Sequence, residues 1–197
     1  MKLRFREWLR RRSSGFELQG HFTVWDDMQN SLIGKRLYST AGKVDYDYDE
    51  IAIAFASGGS MAEANDRVTF PLQMQHKKKL GTAIRLHLHL EQEDDTEREF
   101  TLAYRVQKQG AAKTTDWTEI TLSTADDAAF TYSSDTLNQT VSFPEIPVND
   151  VGVSDIVQCR LARTDSAGGT VLVTFADAHF EIDAWGSAGE YTKWTES

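Results

Sequence analysis

Two histidines one residue apart, His87 and His89, stand in the run "IRLHLHLE", with Arg85 and Glu91 continuing the same spacing and Ile84, Leu86, Leu88 and Leu90 filling the places between. Neutral imidazoles on one side of an extended segment can share a metal ion with a carboxylate, or can pack and hydrogen bond at a half-buried surface. The four aliphatic residues decide the element. If residues 84–91 form a strand, side chains alternate between faces, so the aliphatic set enters a core. Arg85, His87, His89 and Glu91 then share the other face, toward solvent, a cavity or a neighbouring subunit.

A metal site on this strand needs further ligands. The spacing Gly81, five residues, His87, Leu88, His89, three residues, Glu93 resembles the first motif of the cupin metalloenzymes as far as its glutamate, but the glycine expected seven residues later is Phe100. No second motif with proline and glycine surrounds His179 in "VTFADAHFEID", and His76 is an even weaker supplementary ligand. The expectation is therefore no metal and no cofactor, with Arg85, His87, His89 and Glu91 at a subunit interface. On a threefold axis, copies of His87 or His89 would approach one another and share a trapped water or ion, because a symmetric oligomer uses one surface repeatedly. The plainer alternative is a half-buried outer face in which the imidazoles bond Arg85, Glu91 or a cross-strand partner.

Other catalytic constellations are absent from the sequence: no Gly-x-Ser-x-Gly elbow, phosphate-cradling glycine loop, dinucleotide fingerprint or Cys-x-x-Cys pair occurs. No enzymatic activity is expected. The acidic stretch "VDYDYDE" lacks the glycine and terminal glutamate of a calcium loop, and "EQEDDTERE" reads as a charged hairpin turn, so both are expected to be solvated loops. Tyr46, Tyr48, Trp117 and Tyr132 lie in polar surroundings suited to stacking on sugars, and Trp117 and Tyr132 are the candidates for glycan contact. The single cysteine, Cys159 in "IVQCRLAR", can form no internal disulfide; it reads as a small buried filler in a chain that folds in a reducing compartment.

The elements that must position these residues are strands. "HFTVW", "EIAIAF", "RVTFPLQMQH", "AIRLHLHLEQ", "EFTLAYRVQKQ", "DWTEITLST", "QTVSFPEIPV", "DIVQCRLAR" and "GTVLVTFADAHFEIDAWG" carry apolar residues at alternate places or in short runs. Turn clusters such as "SGGS", "KQGAAK" and "RTDSAGG" separate them. Only "DAAFTYSSDTL" and the amino-terminal tip hint at helix. Eight or nine such strands with three prolines predict an all-β chain, an antiparallel sandwich or barrel.

With 197 residues, 40% of them hydrophobic, the chain can bury one main core, read here as residues 21–197. No apolar run is long enough for a membrane-spanning helix, and the start lacks the apolar core of a secretory signal, so a protein made in the cytoplasm is expected. Residues 1–12 carry six basic residues and one acidic, a charge of +5, while the rest of the chain carries 15 basic and 29 acidic, a charge of −14. An acidic body argues against nucleic-acid binding by the main domain. In the tip, Leu3, Phe5, Trp8 and Leu9 fall at spacings compatible with one helical face, with Arg4, Arg6, Arg10, Arg11 and Arg12 around them. Residues 1–20 are read as a basic attachment arm, helical or extended, that could dock on a partner protein, an anionic membrane or packaged nucleic acid.

The stretch "DRVTFPLQMQHKKKLGTAIRLHLHLEQ", a short acidic turn, "FTLAYRVQ", and then "DIVQCRLARTDSAGGTVLVTFADAHFEIDAWGSAGEYTKW" resembles a set of bacteriophage and prophage structural proteins. In these a "PHSYKEGT" type turn leads into a His-Ile-His strand, and a "HYEIDTIGS" type strand closes the domain. The matching positions are His76, Gly81, His87, His89, His179, Glu181, Ile182, Asp183, Gly186 and Ser187, over roughly residues 66–192. Two departures are visible: the central residue is Leu88, and the tryptophan often found after the second histidine is Leu90. The resemblance implies a non-enzymatic virion protein made in the host cytoplasm. Its fold would be a jelly-roll or tumour-necrosis-factor-like sandwich, used as a homotrimer on the capsid or tail and anchored to other virion proteins by the arm. A glycan-binding knob on a tail or head fibre is the alternative, and a cupin-like metalloenzyme the third reading.

Overall fold

The computed structural model describes residues 24–29, 32, 35–38, 44–47, 51–59, 66–76, 78–92, 94–127, 139–147, 151–152, 154–182, 187–189 and 192–193. The arm with Leu3, Arg4, Phe5, Trp8, Leu9, Arg10, Arg11 and Arg12 lies outside them, as do Tyr48, Tyr132 and nearly all of "DAAFTYSSDTL". In chain order the strands are β1 (Val24–Met28), β2 (Arg36–Tyr38), β3 (Val44–Asp47), β4 (Ala52–Phe55), β5 (Arg67–Gln73), β6 (Ile84–Gln92), β7 (Glu99–Gln107), β8 (Thr118–Ser123), β9 (Gln139–Ser142), β10 (Ile156–Arg163), β11 (Val171–Ile182), β12 (Ser187–Gly189) and β13 (Thr192–Lys193). No helix among the described residues is long and apolar enough to cross a membrane.

Two antiparallel sheets carry the fold. One runs β3-β4-β11-β6-β9, with β1 also paired to β11; the other runs β2-β5-β10-β7-β8. From β4 to β11 the chain passes back and forth between sheets, so β4-β11-β6-β9 and β5-β10-β7-β8 form the two four-stranded layers of a jelly roll. This connectivity makes β6 and β11 neighbours although they lie far apart in sequence, and that adjacency builds the site.

The core confirms the alternation read from sequence. Ile84, Leu86, Leu88 and Leu90 of β6 are buried and face Phe100, Leu102, Val157, Cys159 and Leu161 of the other layer in one continuous cluster. Phe55 and Phe100 meet edge to face across the layers at 5.7 Å between centroids. Each large aliphatic or aromatic side chain so buried contributes about 1.5–3 kcal/mol. Burial pushes the Cys159 thiol far above its ordinary value, as expected of an inert filler.

The nine strands expected from apolar pattern are all present, and four short ones join them: β2, β3, β12 and β13. The stretch "VDYDYDE" was expected as a loop, but Val44–Asp47 pairs with Phe55–Ala52 at the sheet edge. The correction has a simple cause. An edge strand needs one buried anchor, here Val44, and a partner ladder, so its outward carboxylates do not oppose pairing. Tyr46 is likewise no loop residue: its hydroxyl donates to the Lys35 carbonyl and its ring packs against the core.

Strand β11 contains an irregularity that matters for the site. Val173 pairs with Leu90 and Phe175 with His89, so Thr174 is an extra residue, a β-bulge. Before it Val171 and Val173 point inward; after it Ala176, Ala178 and Phe180 do. The bulge thereby turns Phe175, Asp177 and His179 to the outer face. Thr174 is held in place by a hydrogen bond from its hydroxyl to the His89 carbonyl and by its own carbonyl accepting from Leu32 N–H.

Candidate functional site

On the outer face of the β6–β11 pair, Asp177 stands directly across from His87 and Phe175 across from His89. The Nε2 atoms of His87 and His89 are 3.1 Å apart. Asp177 Oδ2 lies 2.9 Å from His89 Nε2 and 3.5 Å from His87 Nε2. These three groups are the one His/Cys/Asp/Glu cluster among the described residues with ligand atoms mutually close enough for a single ion. His87 is 5% and Asp177 3% exposed, an unusual depth for the outer face of a sheet.

A further ring surrounds them. His179 meets the His87 ring edge to face, 4.2 Å between centroids, and its Nε2 lies 2.8 Å from Asp27 Oδ1 on β1. Phe175, 40% exposed, stands edge-on to His89 at 6.1 Å. Burial holds His87 below the ordinary imidazole value; the His179 and His89 rings push the same way, and Asp177 and Asp27 only partly oppose them. The pair therefore favours a neutral His87 at neutral pH, which is the protonation state a ligand or a packed interface residue needs.

The four residues expected to act together on β6 divide. His87 and His89 converge, but Arg85 turns away to pair with Glu145 at 3.0 Å and borders an open groove of about 420 Å³ shared with Thr121, Asp126 and Asp127. Glu91 borders a different groove, of about 310 Å³, beside Asp47 and Leu172. The cause is distance along the strand, since alternate residues are about 6.6 Å apart and only the middle two reach the same cross-strand carboxylate. His76 is also remote in function: its Nε2 bonds the Ser154 hydroxyl at 3.1 Å. Asp177 went unremarked in the sequence. An Asp-x-His pair on one strand beside a His-x-His pair on another is the signal that could have found it, once the two strands are known to be neighbours.

Trp117, the glycan candidate within the described region, lies over the outer face of the second sheet. The guanidinium carbons of Arg160 and Arg105 are 3.7 and 4.4 Å from its ring centroid. Arg105 Nε also donates to Gln158 Oε1 at 2.7 Å, which fixes the guanidinium beside the indole.

No family model matches this chain, and the comparison with curated proteins finds no match. Among solved structures it is similar to a xylan-binding module, CBM15, with a TM-score of 0.44 and 13% identity over 83% of this chain and 100% of that one. A family two carbohydrate esterase from Cellvibrio japonicus gives 0.37 at 10% identity, over 81% of this chain and 35% of the esterase chain. PNGF-II gives 0.37 at 10% identity, over 90% of this chain and 37% of that chain. None of these scores reaches 0.5, and none of these proteins lends its ligand or its reaction to this chain.

Proposed function

We propose that this chain is a non-enzymatic structural protein of a bacteriophage particle, a jelly-roll module that assembles with copies of itself, as a trimer, on the capsid or tail surface. Residues 1–20 are its attachment arm, in which Leu3, Phe5, Trp8 and Leu9 supply apolar anchors and the arginines pair with carboxylates of the partner. One observation carries the reading. The described parts of the two sequence blocks that resemble phage structural proteins, near residues 78–89 and 179–182, lie side by side: Lys79 Nζ bonds Glu181 Oε2 at 2.9 Å, Lys79 N–H bonds the Glu181 carbonyl, Lys78 bridges Ile182, and His179 packs on His87. This patch combines imidazoles and a carboxylate with the exposed ring of Phe175, a mix of aromatic and polar groups that supports a subunit seam here.

Molar mass by light scattering tests the assembly, and mass spectrometry of purified particles from a host carrying the chain tests its place. A trimer found in the particle fraction supports the proposal. A monomer at tens of micromolar, or absence from particles, overturns it.

A second reading rests on Trp117, an indole on an outer sheet face with the guanidinium groups of Arg160 and Arg105 over its ring; a sugar stacking beside or in place of one of these cations would make the module a glycan-binding knob. Glycan-array binding that vanishes in Trp117→Ala would favour it. No binding to any glycan would discard it.

A further inference from the structure

We propose that His87 Nε2, His89 Nε2 and Asp177 Oδ2 hold one first-row divalent metal ion of the zinc class on the outer face of the β6–β11 pair. The inference does not rest on the virion reading and would stand if the chain proved monomeric.

The first argument is geometric. A tetrahedral ion with ligand bonds of about 2.1 Å has ligand atoms about 3.4 Å apart along each edge. The three contacts here are 2.9, 3.1 and 3.5 Å, so the atoms already outline one face of such a tetrahedron. The ligands come from two hydrogen-bonded strands of a sheet, and the Thr174 bulge sets the register that brings the third to the first two. A site built on adjacent strands keeps its spacing without help from loops.

The second argument counts protons. A neutral imidazole has one N–H, and the three atoms make two short contacts that both involve His89 Nε2. If His89 Nε2 carries the proton and donates to Asp177, its short contact with His87 Nε2 has no proton between the atoms. If His87 Nε2 donates to His89 Nε2, the lone-pair side of His89 faces a carboxylate oxygen. Protonating both turns two N–H groups toward the one Asp177 oxygen, the longer at 3.5 Å, with the two nitrogens still 3.1 Å apart. A cation satisfies all three lone pairs at once. The third argument is the other oxygen of the same carboxylate: Asp177 Oδ1 is buried and has no hydrogen-bond partner. A carboxylate this deep, with an idle oxygen, is costly unless a positive charge stands beside it.

Donor chemistry fixes the class of ion. Two imidazoles and one carboxylate suit zinc, cobalt, nickel or ferrous iron, whereas calcium and magnesium favour all-oxygen sets. Three protein ligands leave a fourth vertex for water or for a donor from another molecule. His179, packed on His87 and tied to Asp27, is a positioning residue that limits rotation of the His87 ring.

The test uses the full chain, freed of metal by a chelator, and titrates it with zinc and with cobalt. Metal content per chain, calorimetric affinity and the visible absorption of bound cobalt are measured. One ion per chain is expected, with cobalt bands of a four-coordinate nitrogen and oxygen site. Asp177→Asn keeps the side-chain shape, and His89→Ala changes the more exposed imidazole; both should weaken zinc by more than tenfold while circular dichroism stays that of the parent. If Asp177→Asn fails to fold, His89→Ala decides alone, and Arg85→Ala serves as a variant expected to bind as the parent does. A chain that takes up no ion, or one whose affinity is unchanged in the folded variants, overturns the proposal.

Discussion

Arg163 shows how much a single residue can organise. It is fully buried, yet every nitrogen is engaged: Nη1 donates to the carbonyls of Phe55 and Gly169, Nη2 to the carbonyl of Ala167, and Nε and Nη2 to the two oxygens of Asp165. The side chain ties β4 to the turn after β10. Arg163→Ala would orphan three carbonyls and leave Asp165 without its cation, and a loss of about 3–5 kcal/mol is expected. Urea unfolding measures it; a loss under 1 kcal/mol would show that water replaces the guanidinium. Asp165 supplies a pH test. Burial alone would raise its value, but hydrogen bonds from Arg163, Glu99 N–H and Ala167 N–H and the Arg163 charge outweigh burial, and the carboxyl is held below the ordinary range. The unfolded chain therefore takes up this proton first as pH falls. Its contribution to stability is complete above the ordinary carboxylate value and is lost as pH drops through the lowered one. The urea midpoint of the parent should accordingly fall more steeply below about pH 4 than that of Asp165→Asn. Equal slopes would count against the assignment. Nothing in "CRLARTDSAGG" announced this role, because an Arg-x-Asp pair beside a glycine turn reads as surface until the carbonyls around it are placed.

At the scale of the element, β6 was readable and β11 was not. Four aliphatic residues in strict alternation leave β6 one way to face the core, and the structure agrees at each of Ile84, Leu86, Leu88 and Leu90. In β11 the same rule misleads: Val171, Val173 and Phe175 continue an inward series that would carry Asp177 and His179 into the core. The bulge at Thr174 resets the phase, and no local residue type marks it, since threonine is an ordinary strand former. For this reason the carboxylate partner of the histidines was invisible in sequence while the histidines were plain. Deletion of Thr174 should leave Val173 and Phe175 adjacent opposite Leu90 and His89, a regular ladder in which Asp177 and His179 keep the outer face. The deletion therefore removes the bulge and its hydrogen bonds to His89 and Leu32 without changing which side chains face the core, and a folded chain destabilised by about 1–3 kcal/mol is expected. Thr174→Ala, which keeps the residue count, should lose only about 1 kcal/mol for the hydroxyl bond to His89. Thermal melts of the two variants separate the extra residue from its side chain; a deletion variant that fails to fold would mean that β11 needs the bulge for more than the phase of its side chains.

The chain carries a charge of +5 over residues 1–12 and −14 over the rest, most of which folds as a jelly roll, and assembly is the property on which the proposed function depends. Under the proposed assembly the outer face of the β6–β11 pair is the candidate seam: Phe175 is 40% exposed beside half-buried His89, and an exposed aromatic ring next to imidazoles would serve as an anchor for another copy. Its exposure in the single chain also makes it separable from folding. Phe175→Ser removes little core packing, so the melt of the dissociated chain should shift by no more than about 1 kcal/mol. If Phe175 anchors the seam, losing it should weaken association by about 2 kcal/mol, roughly a thirtyfold rise in the dissociation constant. Light scattering across a dilution series distinguishes the cases. If the parent assembles as proposed, a variant that dissociates at concentrations where the parent stays associated places the seam on this face. A variant that keeps the parent's mass throughout would move the proposed seam elsewhere on the sandwich and leave the outer face of the β6–β11 pair uncovered. Zinc affinity measured on the same series is then informative: an ion held within one chain binds equally to monomer and trimer, whereas one completed by a partner's donor binds more tightly as the trimer forms.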